Sequence, residues 1–184
     1  MSQVTKLLNA AKGGDREASA RMFELLYADL KRMARNNLRR NGGVAELNTT
    51  ALVHESFLRF IRRRQLSPLD RAAFFTYIGK VMRSVLVDAI RERQAAKRGG
   101  GEVVVTLTTG VAAESFDDGR LLALNEAMDA LSRIAPNLHR LVDMRYFAGL
   151  SVREISDVLG VSERTVERDW EKARGFLRRL MDEG

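Results

Sequence analysis

Apolar residues recur at intervals of three and four over most of the chain, which is the spacing of amphipathic α-helices. Four such sets lie in the first half: Leu7, Leu8 and Ala11; Met22, Phe23, Leu26, Leu30 and Met33; Leu52, Val53, Phe57, Phe60 and Ile61; and Phe74, Phe75, Ile78, Val81, Met82, Val85 and Ile90. Stop signals separate them at Gly13-Gly14, Asn41-Gly42-Gly43 and Ser67-Pro68. The pattern predicts an all-α fold.

From Lys97 onward the helical pattern is lost, at a run of three glycines followed by mixed β-branched, glycine and polar residues over 102–119. The valine run 103–105 has strand character, but the sequence offers no partner strand. Helical spacing then returns at Leu121, Leu124, Met128 and Leu131 and continues through Leu138, Leu141 and Val142. The predicted organisation is a helical domain over 1–93, a flexible linker over 94–119 and a helical domain over 120–184.

The C-terminal domain contains the signals of a helix-turn-helix. Ser151 and Glu154 have the spacing of a capping box, which starts a helix near Val152. Gly160 supplies the left-handed conformation for a tight turn, and Ser162 can cap the helix that follows. The second helix of such a unit commonly enters the major groove of DNA.

That second helix has two faces. Its predicted buried stripe is Val166, Trp170, Ala173, Leu177 and Leu180. Its predicted DNA-contacting face is Arg164, Thr165, Glu167, Arg168 and Lys172. Arginine can donate two hydrogen bonds to a guanine edge, whereas lysine more often contacts phosphate. The alternative is a solvated face with local ion pairs, because four acidic residues are interleaved with the basic ones.

Charge and composition narrow the classes of function. The chain has 184 residues, a net charge of +7 and basic runs at 35–40, 62–64 and 91–98, which favour a polyanionic partner. The lack of cysteine excludes disulfides and thiolate chemistry. Neither a signal peptide nor an apolar run of about 18 residues is present, so we expect a cytoplasmic protein without membrane contact.

Catalysis is not indicated. His54-Glu55 begins like a zinc-protease motif, but Leu58 occupies the position of its second histidine. The glycine run at 99–101 lacks the residues of a phosphate-binding loop. We therefore expect no catalytic residue, metal, cofactor or small-molecule substrate.

Taken together, the segments resemble an extracytoplasmic-function (ECF) sigma factor, a two-domain protein that directs bacterial RNA polymerase to promoters. Three stretches carry the resemblance: residues 52–58, Leu-Val-His-Glu-Ser-Phe-Leu, similar to the family's polymerase-clamp helix; residues 74–91, similar to the helix that binds and melts the −10 element; and residues 145–174, similar to the −35-binding domain. Their order and spacing cover nearly the whole chain.

The resemblance implies partners and site residues. The partners are core RNA polymerase, at its clamp and flap regions, and promoter DNA in double-stranded and melted form. The implied polymerase contacts are His54, Glu55, Phe57 and Leu58. The implied −10 contacts are Arg64, Asp70, Arg71, Tyr77, Lys80, Arg83 and Arg91. Melted bases stack on rings and their phosphates pair with cations, and we expect at most one of Phe74 and Phe75 to point outward. The loop over 64–71 either captures a flipped base or is a plain connector.

One stretch departs from the family pattern. Where the family carries acidic residues before the clamp motif, this chain has Asn48, Thr49, Thr50 and Ala51, and His54 replaces the usual glutamine. Phosphorylation of Thr50, or of Thr49, would restore negative charge there, so we hypothesise control by a Ser/Thr kinase. The alternative is that Thr50 caps a helix beginning at Ala51. Control by an anti-sigma factor is also left open.

Two other functions remain open from the sequence. A stand-alone helix-turn-helix regulator would bind its operator as a dimer without polymerase. An adaptor would use its helical faces to hold another protein, and its positive charge would then be incidental.

Overall fold

The structure is a computed structural model that describes residues 3–40, 47–62, 71–98 and 118–182. The elements in these ranges are α1 (Gln3–Lys12), α2 (Arg16–Arg40), α3 (Thr49–Arg62), α4 (Arg71–Arg98), α5 (Asp118–Ile134), α6 (Pro136–Val142), a π-helical turn (Asp143–Phe147), α7 (Val152–Leu159) and α8 (Glu163–Asp182). Every regular element of the described ranges is helical, so the predicted all-α class is confirmed.

The helix boundaries follow local signals, with one correction. Gly14 ends the first helix region with a φ of 93°, and the Asp15 carboxylate then accepts a hydrogen bond of 3.0 Å from the amide of Ala18. The prediction that the helical pattern is lost at Lys97 was wrong, because α4 continues to Arg98. Both residues have good helix propensity and suit the negative end of the helix dipole. The valine run 103–105, and with it most of the predicted linker, lies outside the described residues.

Helices α1 to α4 form the first bundle, in which α2, α3 and α4 contribute most of the core. Phe60 is fully buried, and its ring meets Phe74 edge-on at 5.6 Å. Phe74 and Phe75 are both buried, which agrees with the expectation that at most one of the two rings points outward. Burial of an aromatic side chain of this size stabilises the fold by about 1.5–3 kcal/mol.

Helices α5 to α8 form the second bundle, and it packs directly against the first. Its π-helical turn closes with a hydrogen bond of 2.8 Å from the Ala148 amide to the Asp143 carbonyl, five residues back. This turn lies against α4, and the apolar core runs continuously from one bundle into the other. Within the described ranges, none of the helices combines the length and the apolar character needed to cross a bilayer.

Candidate nucleic-acid interface

Helices α7 and α8 are positioned by three local devices that the sequence predicts. The Ser151 hydroxyl accepts from the Glu154 amide at 3.2 Å, and the Glu154 carboxylate accepts from the Ser151 amide at 2.8 Å, which confirms the capping box. Gly160 ends α7 in the left-handed conformation with a φ of 66°. Ser162 caps α8 by accepting a hydrogen bond of 3.2 Å from the Thr165 amide. The two helices are thereby held in a fixed relation across a three-residue connection, 160–162.

The α8 helix presents a charged face to solvent. Val166, Ala173 and Leu177 are buried against the bundle, and Trp170 is half-buried with the Arg145 guanidinium 4.5 Å from its ring centre. On the opposite side Arg164, Glu167, Arg168 and Lys172 are exposed, and Thr165 is half-buried. Arg168 is 61% exposed and bonds its neighbour Asp169 at 3.1 Å. Exposed arginines on a rigid helix are available to contact phosphates or base edges.

The predicted clamp-binding residues divide between surface and core. His54 is exposed and Leu58 is 40% exposed on α3. Phe57 is buried, with its ring 4.8 Å from that of Phe23, because it lies on the face of α3 that packs against α2. Glu55 pairs with Arg59 at 2.9 Å. Phe57 therefore supports this surface from inside, and a partner can reach His54, Leu58 and the Glu55 side chain, which is 43% exposed.

The first turn of α3 shows that one of the two interpretations of Thr50 was wrong. The helix begins at Thr49, and Asn48 is its cap, since the Asn48 side-chain oxygen accepts from the Ala51 amide at 2.9 Å. The interpretation of Thr50 as the cap of a helix beginning at Ala51 was therefore wrong. Thr50 is exposed and Thr49 is half-buried. Both hydroxyls lie in the first turn, where the helix dipole favours negative charge.

Among the predicted −10 residues whose side chains the structure describes, some are exposed and one is buried. Arg64 and Asp70 lie outside the described residues, and Arg71 begins α4. Lys80 and Arg91 are exposed on α4, whereas Tyr77 is half-buried with its ring centre 5.9 Å from that of Phe60. Arg83 is different, because its side chain is buried between the two bundles.

Arg83 is only 3% exposed and is surrounded by groups from the second bundle. Its guanidinium donates to Asn125 at 3.0 Å and to His139 Nε2 at 3.3 Å. It lies 3.7 Å from Asp143, which is 1% exposed. Arginine has no acceptor atom, so His139 accepts through Nε2 and is held neutral. In this arrangement Arg83 cannot reach DNA, contrary to the expectation for a −10 contact.

The burial of this cluster shifts two pKa values. Burial, reinforced by the positive charge of Arg83, lowers the pKa of His139 from 6.5 to about 4. Burial raises the pKa of Asp143 from 3.8 to about 7, although the Arg83 guanidinium opposes that shift. The cluster thus places a permanent cation beside two groups whose charged forms are disfavoured.

Three further contacts join the two bundles beside this cluster. A side-chain carbon on Gly79 would lie 2.4 Å from the Asp143 carbonyl oxygen, so only glycine permits this approach. The Asn37 side-chain amide donates to the Phe147 carbonyl, and Arg140 donates to the Thr76 hydroxyl at 3.2 Å. These contacts were not predicted from the sequence. The available signals were a glycine inside a long helical pattern and the spacing of His139 and Asp143 by four.

The chain is similar to known proteins over nearly its whole length. A family model described as ECF sigma factor matches residues 1–183. The chain is also similar to the ECF RNA polymerase sigma factor BldN of Streptomyces coelicolor, with 28% identity over 188 aligned positions that cover 98% of this chain. It spans 66% of the length of that relative.

Proposed function

Since the chain belongs to the ECF sigma factor family, we propose that it binds core RNA polymerase in the cytoplasm and directs it to promoter DNA. The first bundle would contact the polymerase clamp and the −10 element, and the second would contact the −35 element. The segment between Arg98 and Asp118 would join the two as a linker. This is a binding role, for which neither a cofactor nor a catalytic group is required.

The observation that carries this proposal is the exposed cationic face of α8. Its arginines and lysine lie opposite a buried stripe, so the helix can enter a groove without losing its packing. The exposed His54 and Leu58 on α3 supply a separate surface for the clamp. One chain therefore offers one surface to a protein and another to DNA, as promoter recognition by polymerase requires.

Transcription from a fragment library of bacterial promoters tests the proposal. We expect core polymerase with this chain to initiate at a defined subset of promoters and core polymerase alone to initiate at none of them. Arg168→Ala should lower initiation by roughly 5- to 100-fold, the loss of one specific contact. Arg133→Ala, which removes an exposed charge from α5, is the matched control and should keep parental activity. An operator footprint without polymerase, and no initiation with it, would instead indicate a stand-alone regulator.

We also propose that phosphorylation of Thr50 by a Ser/Thr kinase strengthens binding to the clamp. Thr50 is exposed, and it lies on the same helix as His54 and Leu58. A phosphate there would add roughly −1.5 to −2 charge at a helix N-terminus, where negative charge is favourable. The clamp surface is, by the family resemblance, basic and would attract that charge.

Equilibrium binding to core polymerase tests the Thr50 proposal. Thr50→Glu should bind more tightly than the parent, and Thr50→Ala should bind like the unmodified parent. Ala20→Glu adds the same charge at an exposed position of α2 and should not change the affinity. Equal affinities for Thr50→Glu, Ala20→Glu and kinase-treated parent would refute the switch.

A further inference from the structure

Arg59 joins α3, which carries the surface proposed for the polymerase clamp, to α4, which carries predicted DNA contacts. Its Nη1 donates a hydrogen bond of 2.6 Å to the Asp88 carboxylate and one of 3.1 Å to the Ser84 hydroxyl, both on α4. Its Nε donates at 2.9 Å to the Glu55 carboxylate on its own helix. The guanidinium of Arg59 is thus held in place and is shared between two carboxylates.

Asp88 lies between two exposed cations of α4. Lys80, Ser84 and Asp88 are spaced by four residues and Arg91 follows three residues later, so the four side chains lie along one side of the helix. We call these four residues the outer row of α4. Lys80, Ser84 and Arg91 are exposed, and the Asp88 side chain is 41% exposed. The outer row therefore combines two cations that can attract phosphate with one carboxylate that can repel it.

We propose that Arg59 is a positioning residue for DNA binding, which neutralises Asp88 and thereby keeps the outer row of α4 attractive to phosphate groups. The proposal rests on the proposed function in taking Lys80 and Arg91 as DNA contacts. By helix geometry Asp88 lies about 4.5 Å from Arg91 and about 12 Å from Lys80 along the axis. Charges separated by about 10 Å or less are incompletely screened at 0.1 M salt. A carboxylate without its cation would therefore oppose a phosphate that approaches the outer row.

This role predicts an asymmetry between the two members of the ion pair. If the pair only stabilised the packing of α3 on α4, neutralising Arg59 or Asp88 would have the same effect on DNA binding. If Arg59 masks Asp88, loss of the arginine exposes a negative charge and weakens binding, whereas loss of the carboxylate does not. Replacing both members removes one charge of each sign, so the net charge beside the outer row returns to that of the parent protein.

Protection of Lys80 from acetylation measures DNA binding at α4 separately from binding at α8. The full chain is titrated at low salt with a mixed-sequence single-stranded oligonucleotide of about twenty nucleotides, and acetylation is followed by peptide mass spectrometry. Arg59→Gln should raise the oligonucleotide concentration that half-protects Lys80 by at least about threefold. Asp88→Asn should not raise it, and the double variant should lie within about twofold of the parent. Lys172 on α8, which is also exposed, should be protected equally in all of these proteins.

Two further variants separate masking from net charge and from side-chain shape. Arg21→Gln is the matched control, because it also removes an exposed arginine from a carboxylate, that of Glu17 on α2, and it should leave the half-protection of Lys80 at the parental value. Arg59→Lys keeps the positive charge without the forked donor geometry and should also stay within about twofold of the parent.

The outcomes that overturn the proposal are distinct from a failure of the proposed function. Equal weakening by Arg59→Gln and Asp88→Asn, or parental values for both, overturns the role of Arg59, as does equal weakening by Arg21→Gln. If Arg59→Gln does not fold, Asp88→Asn decides, since a threefold loss of Lys80 protection overturns the proposal and parental or tighter binding supports it. A parent protein in which the oligonucleotide does not protect Lys80 would overturn both the DNA-binding assignment of α4 and this proposal.

Discussion

Helices α8 and α4 both carry a row of basic residues, but the two rows differ in their exposure to solvent. On α8, Arg164 and Arg168 face solvent, opposite a stripe that is buried within the same bundle. On α4, Arg83 is buried because a second bundle covers its face. The basic face of α8 is accessible to a ligand, whereas the face of α4 that carries Arg83 is covered by the second bundle.

The difference shows what helical periodicity can and cannot predict. Periodicity identifies the face that packs against the nearest helices, so the buried Val166 and the exposed Arg168 both follow from spacing. It cannot identify a face that meets an element more than forty residues away, as Arg83 meets Asn125 and Asp143. A basic residue outside the apolar stripe is expected at the surface, and only tertiary packing reveals an exception.

The largest effect should come from removing the buried cation. Arg83→Met keeps the side-chain length against Phe147 but removes the buried hydrogen bonds from the guanidinium to Asn125 and His139, which should cost about 3 kcal/mol of unfolding free energy. Arg91→Met on the exposed side of α4 is the control and should change stability by less than about 0.5 kcal/mol. Urea denaturation measures both, and similar losses would show that the Arg83 site is not distinctive.

His139 and Asp143 should show opposite pH dependences. The pKa of His139 falls to about 4 in the native state, so its contribution to stability is lost as pH drops from 6.5 toward 4. The pKa of Asp143 rises to about 7, so its contribution is lost as pH rises from 3.8 toward 7. Lys80 and Asp129, which also face the pair, act on both pKa values with Arg83. In the parent protein, the stability gained from His139 and the stability lost from Asp143 as pH rises nearly cancel between about pH 4 and 6.5.

Two substitutions separate these contributions. Relative to the parent, His139→Gln should lose up to about 1.4 kcal/mol of unfolding free energy per pH unit as pH rises through that window. Asp143→Asn, which imitates the protonated acid, should gain stability over the same window with a similar slope. Denaturant titrations at several pH values measure both differences. Profiles parallel to that of the parent would show that neither group titrates as the burial implies.

The smallest effect belongs to the α8 side, where local devices set the geometry. Ser151→Ala removes the cap of α7 and should cost about 1 kcal/mol of unfolding free energy. Ser19→Ala, inside α2, is the matched control and should be neutral or slightly stabilising, because alanine is the better helix former. An equal response at both positions, measured by urea denaturation, would show that the capping box does not stabilise this region.

The same contrast explains how much the sequence could predict. The all-helical class, the capping box at Ser151 and the turn at Gly160 depend on neighbours within a few residues, and these were predicted. The break between α5 and α6 and the π-helical turn were not. The end of α4 was missed because Lys97 and Arg98 have no apolar periodicity, although they are good helix formers. The Asn48 cap was missed because Thr50 is an equally suitable residue type. Gly79 acquires its role only through Asp143, and no local pattern records that contact.

Chemical modification of arginine tests the contrast between the two helices most directly. Free protein treated with an arginine-selective dicarbonyl and analysed by peptide mass spectrometry should show modification of Arg91 and Arg168 and protection of Arg83. In Gly79→Ala the protection of Arg83 should be lost, while Arg168 should react as before. Modification of Arg83 in the free parent protein at the same rate as Arg91 would contradict the buried contact and the account built on it.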